Sequence, residues 1–306
     1  MRFGVHLPVA DLGGGTAPAD VLRACTARAR DLGFDAVAAS DHLVWHRDWL
    51  DAVVALAAVA EHAGDMALVT SVALPTVRHP VVLAKALTSL AAVAGGPVVG
   101  GVGPGASADD HRAVGVPFEE RWTRFDEGLG LLRALVRGEP AEDGDVYPGT
   151  GIRLGPLPAR PPEIWSGSWG SDARLRRAAA VADGWLASAF NTTPERFAEA
   201  RARLDGHLAA HGRDPASFPD TLSSMYLHVT EDAAQARAVL ADDLGPAFGR
   251  DPADLAGRVL VGTPDACAAT LAAYADAGVQ RVLLWPVRDP VGQLEVFARE
   301  VRPRLA

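Results

Sequence analysis

Eight short apolar runs alternate with amphipathic stretches from one end of the 306 residues to the other, and eight is the number of strands at which a parallel βα sheet closes on itself. The predicted class is therefore α/β: a single (β/α)8 TIM barrel over residues 1–306, with insertions after strand four (about 103–117) and before strand five (about 139–162). Length alone would equally suit two domains of roughly 150 residues each. Neither insertion carries enough apolar periodicity to bury a core of its own, so both read as excursions from one barrel.

The runs lie at 3–7, 36–40, 67–72, 98–102, 163–166, 184–188, 222–229 and 281–285. Most are apolar on both faces, as buried parallel strands require. The first helix is marked by Leu22, Cys25, Ala29 and Leu32 on one face, with Gly33 as a left-handed stop. Leu83, Leu87 and Leu90 lead in the same way to Gly95, Phe125, Leu129 and Leu132 to Gly138, and Cys267, Leu271 and Tyr274 to Gly278. Thr193-Pro194-Glu195 and Thr263-Pro264-Asp265 open helices with a hydroxyl cap, a proline at the first turn and a carboxylate at the positive end of the dipole.

Hydrophobic residues make up 49% of the chain, which is ample for a core. Lys+Arg 29 against Asp+Glu 38 leaves a net charge of −9, so nucleic acid and anionic membrane surfaces are not expected partners. Two cysteines, Cys25 and Cys267, are too few for a disulfide framework and read as helix packing residues. No targeting signal or membrane span is visible, and a cytoplasmic location is expected.

A barrel of this kind assembles its chemistry at the C-terminal strand ends. Strand two ends in Asp41-His42, an acceptor beside a titratable imidazole. The same residues also suit a plain capping carboxylate next to a rim histidine. Gly103-Pro104-Gly105 after strand four and the turn from Gly167 through Ser168 to Gly170 after strand five would let backbone amides approach a ligand or phosphate, although glycines also serve simply to turn the chain. His6, His42 and His79 with Asp41 could be drawn as a metal cluster, but no ligand spacing supports one, and no metal is predicted.

Taken in order, several short motifs resemble the bacterial-luciferase-like superfamily, especially its branch using the deazaflavin coenzyme F420. They are Leu32-Gly33-Phe34-Asp35, Ser40-Asp41-His42-Leu43, Thr70-Ser71-Val72, Arg78-His79-Pro80, Gly101-Val102-Gly103-Pro104-Gly105, Ala182-Asp183-Gly184-Trp185 and Val261-Gly262-Thr263-Pro264. The resemblance covers nearly the whole chain. It implies a non-prolyl cis peptide at Ser71-Val72 behind the cofactor ring, Asp41 at the ring edge, Gly103 and Gly105 allowing close approach, and Gly167, Ser168 and Gly170 at the cofactor phosphate. His42 matches the proposed base of the deazaflavin sugar dehydrogenases, which would take a proton from a substrate alcohol as hydride leaves. Where those enzymes carry a glutamate after the glycine turn this chain has Ala106, and Asp109 and Asp110 would need a different loop path to serve.

The resulting expectation is an F420-dependent oxidoreductase acting on a small organic molecule in a pocket of His6, Trp45, His46 and Trp285. The family also implies a homodimer. The alternative cofactor is FMN, in an oxygen-using monooxygenase. A catalytically silent flavin binder and a metal-dependent hydrolase are the remaining readings.

Overall fold

The structure, a computed structural model, describes every residue except Gly14, Thr16 and Ala306. Eight strands form the ring: β1 (Arg2–His6), β2 (Ala36–Ala39), β3 (Ala67–Ala73), β4 (Val98–Val102), β5 (Glu163–Gly167), β6 (Gly184–Ser188), β7 (Asp220–Val229) and, with β8 (Leu260–Gly262) lying outside it, β9 (Arg281–Pro286). Every seam is parallel, and β9 closes the ring by pairing with both β7 and β1. The eight expected runs are these eight ring strands. The addition is β8, three residues that pair only with the outer end of β7, from Leu227 to Val229. Its shortness left no period to read.

Helices α1 (Ala19–Asp31), α2 (Ala52–Ala63), α3 (Pro80–Val93), α4 (Ala108–Ala113), α5 (Arg121–Arg137), α6 (Asp172–Val181) and α7 (Pro194–Ala210) follow the first six strands. The short helices α8 (Ala233–Ala238), α9 (Gly245–Phe248) and α10 (Pro252–Leu255), then α11 (Pro264–Asp276) and α12 (Pro290–Val296), complete the order. Thr193 and Thr263 cap α7 and α11 as their sequences require, accepting from the amides of Arg196 and Ala266. Gly33, Gly138 and Gly278 take the expected left-handed stops, but Gly95 does not: α3 ends on Ala94 in an extended conformation. The first insertion forms α4 and is followed by a 3-10 turn, Phe118–Glu120, whereas 139–162 contains neither helix nor strand and is pinned by Glu127, which accepts from the amides of Val146 and Tyr147.

Two apolar clusters result. The larger fills the space between strands and helices; the smaller lies inside the ring and consists of Ala36, Ala38, Ala67, Val69, Val99, Trp165, Leu186 and Leu283. These interior residues alternate along their strands, which fixes the parity of each strand, so Ser40 and Ser71 continue the inward rows of β2 and β3 toward the mouth. Trp165 occupies so much of the interior that a Cβ at Gly184 would lie 2.5 Å from its indole. No helix among the described residues is long and apolar enough to cross a membrane. Both cysteines are buried and unpaired, and burial pushes each thiol up to about 12.

Gly184→Ala forces a methyl into the Trp165 indole, and overpacking of this kind costs about 1–3 kcal/mol. Urea unfolding of the variant against the parent should show that loss; equal midpoints would mean that the interior relaxes freely.

Candidate active site

The mouth of the barrel is organised by two buried aspartates. Asp41, just beyond β2, is 3% exposed and takes both hydrogen bonds of one guanidinium: Arg78 Nε donates to Oδ2 at 2.5 Å and Nη2 to Oδ1 at 2.7 Å. Arg78 Nη2 also lies 2.7 Å from Asp51, whose carboxylate caps α2. One cation thus ties the loops after β2 and β3 together. Burial pushes the Asp41 carboxyl above its ordinary value, against the opposing pull of Arg78. Asp41, expected at a cofactor edge, lies at the mouth with both of its oxygens bonded to Arg78.

His42 faces the second aspartate. Its Nδ1 lies 2.7 Å from Asp110 Oδ2, while Asp110 Oδ1 accepts from the amides of Leu43 and Val44 at 2.8 Å each. Burial raises the affinity of Asp110 for a proton, but the bonds from His42 and the two amides outweigh it and hold the carboxyl below its ordinary value. An ionised carboxylate only accepts, so Nδ1 of His42 is the donor to Asp110. The loop path that Asp110 seemed to lack is provided by α4, whose Ser107 cap sets Asp110 on its first turn.

Aromatic rings surround the imidazole. Trp45 and Trp49 stand 4.3 and 4.6 Å from His42, ring to ring, and Trp49 turns its edge or face to Trp285 at 6.0 Å. Trp285 in turn stacks on His6 at 3.6 Å and on Tyr226 at 5.1 Å. Of the four expected pocket residues, Trp45 and His46 lie at the rim, half-buried and exposed, whereas His6 and Trp285 are buried beneath it. His6 donates from Nδ1 to the Leu7 carbonyl, leaving Nε2 buried without a partner, as is the Trp285 indole nitrogen.

Ser71-Val72 is a cis peptide, and the β3–β4 register shifts there. Val72 then projects between two glycines: a Cβ at Gly103 would lie 2.9 Å from Val72 Cγ2, and one at Gly167 2.8 Å from Cγ1. Gly105, at φ +79°, makes room in the same way for the His111 ring. At these three positions the missing Cβ admits the side chains of Val72 and His111. Ser168 is partly engaged as well, its amide donating to Leu186 and its hydroxyl accepting from the Trp185 indole at 3.0 Å. Buried Ser40 and Ser71 keep hydroxyls with no partner, and the backbone N–H of Gly170 meets no acceptor among the described residues. No group of three or more potential metal-ligating side chains is present among the described residues.

Arg78 and Trp49 carry no role in the sequence analysis, and Asp110 enters it only as an acid without a path to the site; nothing in the local pattern says which rim residue each one reaches.

Burial drives the His6 imidazole down to about 3, against the bond to Leu7 that raises it. The unfolded chain therefore binds the proton more tightly, and this stability term is full above the unfolded value near ~6.5 and fades as pH falls toward 3. His6→Phe keeps the stack on Trp285 and should remove up to about 1.4 kcal/mol per pH unit of that slope in urea melts across the window; an unchanged slope would show that His6 is not its source.

The luciferase-like monooxygenase family matches residues 1–258. An F420-dependent glucose-6-phosphate dehydrogenase of Beutenbergia cavernae is 30% identical, covering 94% of each chain. An F420-dependent hydroxymycolic acid dehydrogenase of Mycobacterium tuberculosis is 29% identical over 94% of this chain and 84% of its own. The crystal structure of monooxygenase RslO1 from Streptomyces bottropensis superposes over the full length of both chains with a TM-score of 0.80 at 25% identity. Together with the closed ring and its β3 bulge, the extent of the match establishes that this chain belongs to the luciferase-like monooxygenase family.

Proposed function

We propose that the protein is an oxidoreductase that uses coenzyme F420 to move hydride to or from a small organic substrate, with His42 as the proton-transfer residue. One observation carries this reading: an imidazole at the barrel mouth bonded through Nδ1 to a buried carboxylate, with its other nitrogen unbonded among the described residues. Two full-length relatives with F420-dependent activities support the cofactor.

The residues present fit such a group. Ser40 and Ser71 offer unpartnered inward hydroxyls to a ring at the mouth, beside Val72. Gly170 offers a free backbone N–H, and the remaining Ser168 hydroxyl proton a second donor, to a phosphate ahead of α6. Bound F420 supplies a two-electron carrier for hydride. His42 Nε2 accepts the proton of a substrate alcohol in one direction and returns it in the other. Trp45 and Trp49 wall the imidazole on two sides, which keeps water from competing for that nitrogen. A net charge of −9 gives the chain no general attraction for an anionic cofactor, so binding rests on these local donors.

A second reading retains the fold and replaces F420 with FMN in a monooxygenase; the likeness to RslO1 favours it. Fluorescence titration of the purified protein with both oxidised cofactors separates the two. F420 should bind and FMN should not, and tight FMN binding without F420 binding would sink the proposal. Among uncharged alcohols such as propan-2-ol and cyclohexanol, His42→Ala should lower turnover about 10²- to 10⁴-fold, followed as loss of oxidised F420; unchanged turnover removes His42 from the reaction.

The protein acts as a cytoplasmic homodimer in this reading. The outer faces of α2 and α3 expose Val54, Val82 and Val93, an apolar surface suited to a self-complementary contact. Light scattering should give a dimer for the parent and a monomer for Val54→Glu with Val82→Glu; a monomeric parent would dismiss this contact.

A further inference from the structure

We propose that Asp110 is the positioning residue of His42 and decides which imidazole nitrogen is presented to the substrate. The inference rests on the reading of His42 as the proton-transfer residue, and its test is independent of the reaction. The two oxygens of Asp110 divide their work. Oδ1 accepts from the amides of Leu43 and Val44, which shapes the turn carrying His42, and Oδ2 receives Nδ1 of His42 itself. The carboxylate is fully buried, so an ionised Asp110 has these three donors and no water to satisfy it.

The consequence for His42 is a single tautomer. With the proton held on Nδ1, rotation of the ring would strand a buried carboxylate, so the Nε2 lone pair is kept toward the mouth. A base oriented by a third group is the arrangement that proton-abstracting sites require. The other groups around the ring do not compete. Trp45 and Trp49, from its own segment, are uncharged; from α4, Asp110 is the one charged side chain bonded to it; Arg78 is matched by Asp41 and Asp51. Position 106, where the resemblance leads one to expect a glutamate, is alanine, so the turn after β4 brings its carboxylate chemistry to the site through Asp110.

Asp110→Asn isolates this role. The amide oxygen can keep the two bonds to Leu43 and Val44, while the –NH2 takes the place of Oδ2 and donates where the carboxylate accepted. His42 must then accept at Nδ1 and carry its proton on Nε2. Nitrogen NMR of histidine-labelled, cofactor-free protein at neutral pH should show the Nδ1–H tautomer at His42 in the parent and the Nε2–H tautomer in Asp110→Asn. With F420 and the alcohol that turns over fastest, kcat should fall about 10²- to 10⁴-fold, F420 affinity should hold, and the double variant with His42→Ala should be no slower than His42→Ala alone. An Nε2–H tautomer in the parent overturns the proposal, and needs no variant that must fold. An unchanged tautomer in Asp110→Asn overturns it too. A switched tautomer with unchanged kcat supports the positioning role and removes His42 from the reaction instead.

Discussion

A carboxylate taken out of water must be met by donors, and the chain has to bring those donors from wherever the fold allows. At the mouth, Asp41 draws in Arg78 from beyond β3 and Asp110 draws in the turn after β2 from its place on α4. The opposite end obeys the same constraint, with half-buried Asp183 meeting Arg133, Arg137 and the Ile164 amide, and buried Asp220 meeting Arg201 and the Gln280 amide. Each buried acid therefore joins segments that are distant in sequence. The rim loops hold their shapes because releasing any of them would leave an uncompensated charge in a dry place.

The framework was legible because it is written in period. Alternating inward and outward residues along the ring strands, and apolar faces with capped ends along the helices, are local patterns, and the eight runs coincide with the eight ring strands. What escaped was either too short or not local. The three residues of β8 have no period of their own and follow the end of β7 outside the ring. Gly95 shows that a glycine at the end of an apolar face is not always the residue that turns the chain.

The site was half legible for the same reason. His42 and Asp41 could be located because strand ends mark the mouth. Their partners could not, since 68 positions separate His42 from Asp110 and 37 separate Asp41 from Arg78, and only the course of the loops brings each pair together. The glycines were legible as places of close approach, but the protein side chains that approach them were not. A missing Cβ says that something approaches closely, and at 103 and 167 that something is Val72.

That wedge has a consequence for how the mouth can diverge. Val72 lies in β3, Gly103 just beyond β4 and Gly167 in β5, yet the volume at 72 limits what the other two can tolerate. An alanine introduced at 103 collides with the valine alone and finds room beside a smaller residue at 72, whereas at 167 its Cβ would also lie 3.1 Å from the Val102 carbonyl oxygen. Reshaping of this wall, by drift or by library selection, is thus a problem of ordered steps: the valine shrinks first, and single-site scans taken from the parent background will score position 103 as immutable when it is only conditional on its neighbour.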